Sequence, residues 1–276
     1  MVGRVDWRSG CSLTGTSLKW LAVPLAFPLV IAAYDGRDVE PFLATIAVTV
    51  AVGLALERLA PERTLDQRSA FLMVALTWLG VGLVGAIPFL LAGDGSLAHP
   101  VNAAFESMSG ITTTGATVIE EFDDHSRAVM LWRGLLQWLG GLGILIITIG
   151  LLSQLRVGGA QLMETESQTQ AVHKLTPRIR ETARIIWALY VGITLFTVAV
   201  LYALHLAGLA PNMDPFNAVA HALTSVSTAG FSPEPTSIAA FSPTVQWVLI
   251  PVMLVGATNF VLLYHLLRGE LGRPRA

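Results

Sequence analysis

Four apolar segments, each long enough to cross a bilayer, constrain the fold of this chain more than any other feature of its sequence. A spanning helix needs about 20 apolar residues, within a range of roughly 17 to 25. Only one charged residue, Arg133, falls inside the four segments. Charged residues make up 13% of the chain, whereas soluble domains carry about 25%, so the composition also indicates a membrane protein. The segments are residues 69–92, 128–155, 185–204 and 244–267.

Two shorter apolar segments, residues 20–34 and 42–56, precede these four. Charged side chains at their ends can reach the interface, so each segment can still cross the bilayer. The basic and then apolar start of the chain also loosely resembles a signal peptide. It has no clear small-x-small cleavage site and further apolar segments follow it, which favours a first membrane helix. We therefore expect six spanning helices.

Lysine and arginine are distributed unevenly between the two sets of connecting loops. Cytoplasmic loops of membrane proteins carry an excess of these residues. With the N-terminus inside, fourteen of the seventeen basic residues fall on the cytoplasmic side, while Arg37 and Arg127 fall outside. We therefore expect a multi-pass protein of the inner (plasma) membrane with both termini in the cytoplasm. The lipid bilayer is then its surroundings, and nothing indicates a nucleic-acid partner.

Two stretches between the longer segments are related to one another. They read "HPVNAAFESMSGITTTGATV" from His99 and "DPFNAVAHALTSVSTAGFSP" from Asp214. Each begins with a proline typical of the first helical position, and Asp214 can cap its helix. Such an internal repeat predicts an architecture built of two similar halves. A constant offset of 115 without gaps matches Pro100 to Pro215, Asn102 to Asn217, Ala103 to Ala218, Thr113 to Thr228 and Gly115 to Gly230.

The repeat defines the fold class and the expected parts of the chain. We predict an all-α membrane protein with two helix–pore-loop–helix repeats, preceded by a helical hairpin. The predicted parts are the hairpin at residues 1–66, the first repeat at 67–156, a cytoplasmic connection at 157–183 and the second repeat at 184–276.

The end of each repeated stretch places threonine, serine and glycine between apolar helices, as in "GITTTGATV" at residues 110–118. β-Branched residues favour extended backbone, which membrane proteins tolerate only when it is buried in protein or lines a watery cavity. A short helix followed by extended backbone is the layout of a cation filter, in which carbonyl oxygens replace the water shell of the ion. Carbonyls without a ring of carboxylates suit a large monovalent cation better than Mg²⁺ or Zn²⁺.

Several motifs together resemble the Trk/Ktr/HKT superfamily of potassium transporters, and specifically its TrkH branch. "FESMSGITTTGATV" is similar to the first filter loop of that family, and "STAGFS" to the second. "LWRGLLQWLGGLGILI" is similar to the helix that follows the first loop, while "LRVGGAQL" and "KLTPRIRETAR" are similar to the cytoplasmic connection. The motifs occur in family order over nearly the whole chain.

The resemblance implies that backbone atoms beside each filter glycine bind K⁺, and it implies no other cofactor. In this family glycine at the filter position goes with K⁺ selectivity and serine with Na⁺ permeation, so K⁺ is the expected ion. The resemblance also implies a ring of nucleotide-binding regulatory subunits at the cytoplasmic face. The expected K⁺-binding residues are Thr113, Thr114, Gly115, Thr228, Ala229 and Gly230.

Members of the superfamily have four such repeats around one pore, whereas this sequence shows two. Incomplete replacement of an ion's water costs on the order of tens of kcal/mol in the idealised limit. Three explanations stay open: two copies assemble, another chain supplies repeats three and four, or the chain is a truncated product. We expect the pore-forming subunit of a Trk-type system for K⁺ uptake, acting as symporter or channel. The alternative is a half that does not conduct alone and serves as an interaction subunit or remnant.

Two charged residues at membrane depth, Glu106 and Arg133, are expected to support the filter. An unpaired charge there costs about 2.5 kcal/mol or more, so Arg133 is expected to pair with Glu106 or with the carbonyls that end the first half-helix. His221, the counterpart of Glu106, is expected to be packed or hydrogen-bonded and not a metal ligand. The single cysteine, Cys11, provides neither a disulfide nor a metal cluster. The sequence contains no nucleophile–base pair or phosphate loop, which argues against an enzyme.

Glycine and proline residues in the helices after the loops carry two further expectations. Gly140, Gly141 and Gly143 are expected to allow close helix packing, with a hinge as the alternative. Pro251 and Gly256 are expected to bend the last helix.

Overall fold

The computed structural model describes residues 6–60, 67–154 and 171–267. Within these ranges the chain is helical apart from short turns and loops, and contains no strand. The predicted all-α class is therefore confirmed. Most of the predicted cytoplasmic connection at residues 157–183 lies outside the residues that the structure describes. The helices are α1 (Trp7–Trp20), α2 (Ala22–Asp35), α3 (Val39–Glu57), α4 (Gln67–Gly85), α5 (Ile87–Ala92), α6 (Pro100–Ile111), α7 (Arg127–Gln154), α8 (Ala171–Leu206), α9 (Pro215–Val226), α10 (Pro243–Gly256) and α11 (Phe260–Leu267).

The N-terminal hairpin is longer than its apolar residues predict. Helix α1 begins at Trp7, where the Asp6 carboxylate accepts a hydrogen bond from the backbone N–H of Ser9 at 3.2 Å. The predicted first helix, residues 20–34, is therefore too short. The polar residues of α1 lower its hydropathy, but Ser9, Ser12 and Thr14 are buried. Ser12, for example, donates to the Glu57 carbonyl of α3 at 3.1 Å.

Four helical stretches in the described residues are long and apolar enough to cross a membrane. A fifth helix, α7, has 28 residues and covers residues 128–154 of the predicted segment 128–155. The last predicted helix, residues 244–267 with a bend at Pro251 and Gly256, is instead divided in two, because α10 ends at Gly256 and α11 begins at Phe260. Pro251 removes one backbone hydrogen bond inside α10, and Gly256, the last residue of α10, is a poor helix former. Both residues weaken a helix in this segment. The four stretches are Trp7–Asp35, Val39–Glu57, Arg68–Ala92 and Glu181–Leu206.

The two half-helices of the repeat, α6 and α9, have the same length of 12 residues and keep the offset of 115. Both begin with proline at the first helical position. The Asp214 carboxylate caps α9 by accepting from the backbone N–H of Asn217 at 2.7 Å, as its sequence position predicts. His99 takes the equivalent place at α6, where its Nδ1 accepts from the N–H of Val101 at 3.3 Å.

Loops at one end of the molecule are joined by ion pairs. Arg37 pairs with Asp94 at 2.7 Å, and Arg127 pairs with Asp35. His125 is buried beside them, and among the described residues neither of its ring nitrogens has a hydrogen-bond partner. Burial lowers the pKa of His125 below its usual value, against the opposing effect of nearby Asp94. Arg37 and Arg127, the two basic residues predicted to lie outside, therefore lie at the same end.

Candidate ion filter

The two loops that follow the half-helices share an unusual backbone. Thr113 and Thr228 have φ angles of 55° and 57°, and Gly115 and Gly230 have φ angles of 76° and 83°. A residue other than glycine pays about 1–2 kcal/mol in this left-handed region. The same cost at equivalent positions of both loops indicates that the surrounding packing holds each loop in this shape.

Backbone N–H groups of the first loop point back to the end of α6. Thr113 donates to the carbonyl of Gly110 and Thr114 to the carbonyl of Ser109, both at 2.9 Å. In a trans peptide the C=O points opposite to the N–H of the same unit. Because the N–H of Thr114 faces α6, the carbonyl of Thr113 faces away from it.

The second loop repeats this arrangement at the offset of 115. Thr228 donates to the carbonyl of Ser225 and Ala229 to the carbonyl of Thr224, both at 3.0 Å. The N–H of Gly230 also donates to Thr224, at 3.3 Å. The carbonyls of Thr228 and Ala229 therefore face away from α9. No described residue donates a hydrogen bond to the carbonyl oxygen of Thr113, Thr114, Thr228 or Ala229.

Only one of the two loop glycines, Gly115, lies against the neighbouring loop. A Cβ added at Gly115 would overlap the carbonyl oxygen of Ala229 in the neighbouring loop. A Cβ added at Gly230 would have no described atom within 4 Å. Equivalent positions of the repeat thus have different surroundings: the first glycine faces the second loop, and the second faces open space.

Glu106, in α6, ties the far end of the first loop to its half-helix. Its side chain is fully buried, and its carboxylate accepts from the Thr117 hydroxyl at 2.9 Å and the backbone N–H of Val118 at 3.0 Å. Arg133 of α7 pairs with the same carboxylate at 2.7 Å. The structure thus brings together the two charged residues for which the sequence predicts a supporting role.

Arg133 also reaches the second loop, a contact that the sequence did not indicate. Its guanidinium donates to the carbonyl of Ser232 at 3.0 Å and to the hydroxyl of Thr117 at 3.2 Å. It lies over the ring of Phe231, 4.3 Å from the ring centre, which is favourable for a cation. The side chain is 2% exposed, so one buried cation connects both loops.

His221 takes the place of Glu106 in the second repeat. Its Nε2 lies 3.0 Å from the hydroxyl of Ser232, which is the counterpart of Thr117, and its Nδ1 lies 2.8 Å from the carbonyl of Asn217. The ring also meets the edge of Phe241. Both nitrogens are therefore used in hydrogen bonds, in the arrangement that the sequence predicts for a packed histidine.

Glycines after each loop let the following helix approach its half-helix. A Cβ at Gly140 would overlap the carbonyl of Ile111, and a Cβ at Gly256 would overlap the carbonyl of Val226. These two carbonyls are equivalent in the repeat. A Cβ at Gly141 would lie 2.6 Å from the hydroxyl of Tyr190. The close packing at these glycines therefore includes the pore half-helices and extends to α8.

Four residues near the loops were not identified from the sequence: Thr117, Gln137, Phe231 and Ser232. Two signals were available. Thr117 and Ser232 obey the offset of 115, and Gln137 lies four residues after Arg133, hence on the same face of α7. Gln137 accepts a hydrogen bond from the backbone N–H of Phe231 at 3.0 Å.

Paired half-helices, apolar spanning helices and two loops with the same left-handed backbone define the class of this molecule, an all-α membrane protein built from pore-loop repeats. The family model for TrkH, described as a cation transport protein, matches residues 39–273. The chain belongs to the TrkH family. Its curated homologues are named as potassium uptake proteins, which are transporters and not enzymes.

Individual relatives agree with this assignment. The chain is 37% identical over 246 residues to the Trk system potassium uptake protein TrkH of Escherichia coli K12, which covers 88% of this chain and 49% of that protein. It is 34% identical over 264 residues to TrkH of Vibrio parahaemolyticus, which covers 94% and 53%. The crystal structure of the potassium transporter TrkH from Vibrio parahaemolyticus matches with a TM-score of 0.78 and 30% identity over 96% of this chain and 52% of the other. The chain spans about half the length of the curated relatives it matches.

Proposed function

We propose that this chain supplies two of the filter loops of a K⁺ uptake path in the inner (plasma) membrane, with both termini in the cytoplasm. The observation that carries the proposal is the repeated backbone of the two loops, in which N–H groups point back to the half-helices and carbonyls point away. Unpaired carbonyls at membrane depth suit a dehydrated cation. The proposed K⁺-binding atoms are backbone oxygens of Thr113, Thr114, Gly115, Thr228, Ala229 and Gly230, with Glu106 and Arg133 as supports.

Completion of the ring requires two further loops. Gly230 faces open space where Gly115 faces a neighbouring loop, so the next loop would lie beside Gly230. A second copy of this chain, another chain or a further segment could supply it. The open side of Gly230 also favours a second candidate function, a subunit that conducts only when joined to such a partner. A nucleotide-binding regulatory subunit at the cytoplasmic face is proposed from the family resemblance alone.

Complementation tests this proposal. An E. coli strain that lacks K⁺ uptake would express the chain alone, or the chain joined to the second half of the E. coli relative, and growth at low K⁺ and uptake of Rb⁺ and Na⁺ would be measured. We expect uptake from the joined protein. If neither protein transports Rb⁺ although both reach the membrane, the proposal is wrong. Uptake by the chain alone would refute the second candidate, whereas uptake by the joined protein only would support it.

Selectivity provides a sharper test at Gly115. A serine there would have to adopt a left-handed backbone and would displace the carbonyl of Ala229. We expect Gly115→Ser to lower the ratio of Rb⁺ to Na⁺ uptake. Gly208→Ser is the matched control, because Gly208 has a φ of 73° but lies after α8 with no described atom near its β position. A ratio lowered equally by both variants would contradict the proposed filter.

A further inference from the structure

Gln137 of α7 is a polar side chain in an apolar helix, and neither the family assignment nor the sequence accounts for it. Its side chain is fully buried. Its Oε1 accepts from the backbone N–H of Phe231 at 3.0 Å. Its Nε2 has no hydrogen-bond partner among the described residues and lies 3.9 Å from the β position of Gly115. The carboxamide therefore lies between the two loops, at the level of both filter glycines.

The hydrogen bond to Phe231 fixes the direction of one carbonyl. The N–H of Phe231 and the C=O of Gly230 belong to one peptide unit, and no peptide bond of the described residues is cis. Since the N–H points at α7, the carbonyl of Gly230 points away from α7. Helix α9 does not orient this peptide unit. The last backbone N–H that donates to α9 is that of Gly230, which belongs to the preceding peptide unit.

The opposite end of the carboxamide faces the first loop. Buried amide donors in proteins almost always find an acceptor, and an unsatisfied one costs about as much as a lost hydrogen bond. Here the donor nitrogen lies beside Gly115, next to Thr113 and Thr114, whose carbonyls have no described donor. α10 has no side-chain amide at the equivalent position, where the offset of 115 places Val252 and the spacing of Gly140 to Gly256 places Met253. The carboxamide is thus a feature of the junction between the two loops and not of each repeat.

We infer that Gln137 is a positioning residue of the filter, which sets the direction of the Gly230 carbonyl and the separation of the two loops and thereby contributes to cation selectivity. The inference rests on the proposed function as a K⁺ filter. A residue that only stabilised the fold would change the amount of protein and lower uptake of all cations together. A residue that orients a coordinating carbonyl changes the ratio between a large cation and a smaller one.

Three substitutions separate these roles in the joined protein described above, with uptake of Rb⁺ and Na⁺ measured in the same cells. Gln137→Leu removes the acceptor and the donor, and Gln137→Asn retracts the acceptor from Phe231 while keeping a polar group. We expect both to lower the Rb⁺/Na⁺ ratio about fivefold, which corresponds to about 1 kcal/mol at 1.4 kcal/mol per tenfold. Gln137→Glu keeps an acceptor and should retain more of the ratio than Gln137→Leu.

Gln246→Leu is the matched control. Gln246 is a partly buried glutamine of α10 that donates to carbonyls of the segment just before α10, including that of Phe241 at 3.1 Å. It should leave the ratio unchanged. If Gln137→Leu does not accumulate in the membrane, Gln137→Asn decides. The role of Gln137 is overturned if the parent protein takes up Rb⁺ normally and the Rb⁺/Na⁺ ratio is unchanged in Gln137→Leu, or in Gln137→Asn where that variant replaces it. Absence of Rb⁺ uptake by the parent protein overturns the proposed function instead, so the two failures are distinguishable.

Discussion

Replacement of Arg133 by methionine tests whether one buried cation holds the two loops together. Methionine keeps much of the side-chain volume but removes the ion pair with Glu106 and the hydrogen bond to the Ser232 carbonyl. Both partners in the pair are almost completely buried, at 2% and 0% exposure. Removal of one member of a buried pair costs about 3–5 kcal/mol, since the other charge stays behind without compensation. The unfolding equilibrium should therefore change by more than a hundredfold.

The measurement is the free energy of unfolding of the purified chain in mixed micelles, followed by helix content during an SDS titration. Arg127→Met is the matched control, because Arg127 pairs with Asp35 at the surface with half of its side chain exposed. A pair of that kind contributes about 0–1 kcal/mol. The double variant Arg133→Met with Glu106→Gln leaves no unpaired buried carboxylate, so it should be at least about 1 kcal/mol more stable than Arg133→Met alone.

Two outcomes would refute this reasoning. If Arg133→Met costs no more than Arg127→Met, the buried pair does not hold the loops. If the double variant is less stable than Arg133→Met, the loss does not come from a stranded carboxylate, and the contacts of Arg133 with Phe231 and Ser232 must carry the effect.

Three smaller perturbations have equally definite outcomes. In the chain by itself, Gly115→Ala should lower the unfolding midpoint more than Gly230→Ala, because both strain the backbone but only the first displaces Ala229; equal effects would contradict the geometry. Asp214→Ala should lower the free energy of unfolding by about 1 kcal/mol through loss of the cap on α9. An unchanged free energy of unfolding in an SDS titration would show that the cap does not stabilise α9. The pKa of His125 is lowered by burial, so the unfolded chain binds the proton first as pH falls through about 6.5. Stability should therefore decrease from about pH 7.5 to 5.5, and this decrease should be smaller in His125→Gln.

Much of the architecture could be predicted from local signals. Pro100 and Pro215 start the half-helices at the predicted residues, because a proline at the first helical position and a capping side chain act within one turn. Helix ends without such a signal were predicted less well. The polar residues of α1 hide its length, and α10 ends at Gly256, which packs closely against the carbonyl of Val226. Hydropathy reports average composition and cannot register either contact.

Most side-chain partners of the two loops could not be predicted in this way. The pairing of Arg133 with Glu106 was one of two expected arrangements, because an arginine at membrane depth needs a partner. Its second contact, with Ser232, joins residues 99 positions apart, and the contact of Gln137 with Phe231 joins residues 94 apart. No periodicity connects residues at such separations, and they meet only because α7 packs beside both loops.

The sequence by itself determined the repeat, the half-helices and the two glycines at which the loops turn, since these depend on residue type and spacing along one chain. The tertiary structure alone decided which loop surfaces meet. It placed Gly115 against Ala229 and left the equivalent side of Gly230 open, although the repeat makes the two glycines equal in sequence. That difference arises because Gly115 packs against the other loop of this chain whereas Gly230 does not, and a residue's neighbours in space are set by packing and not by its own segment.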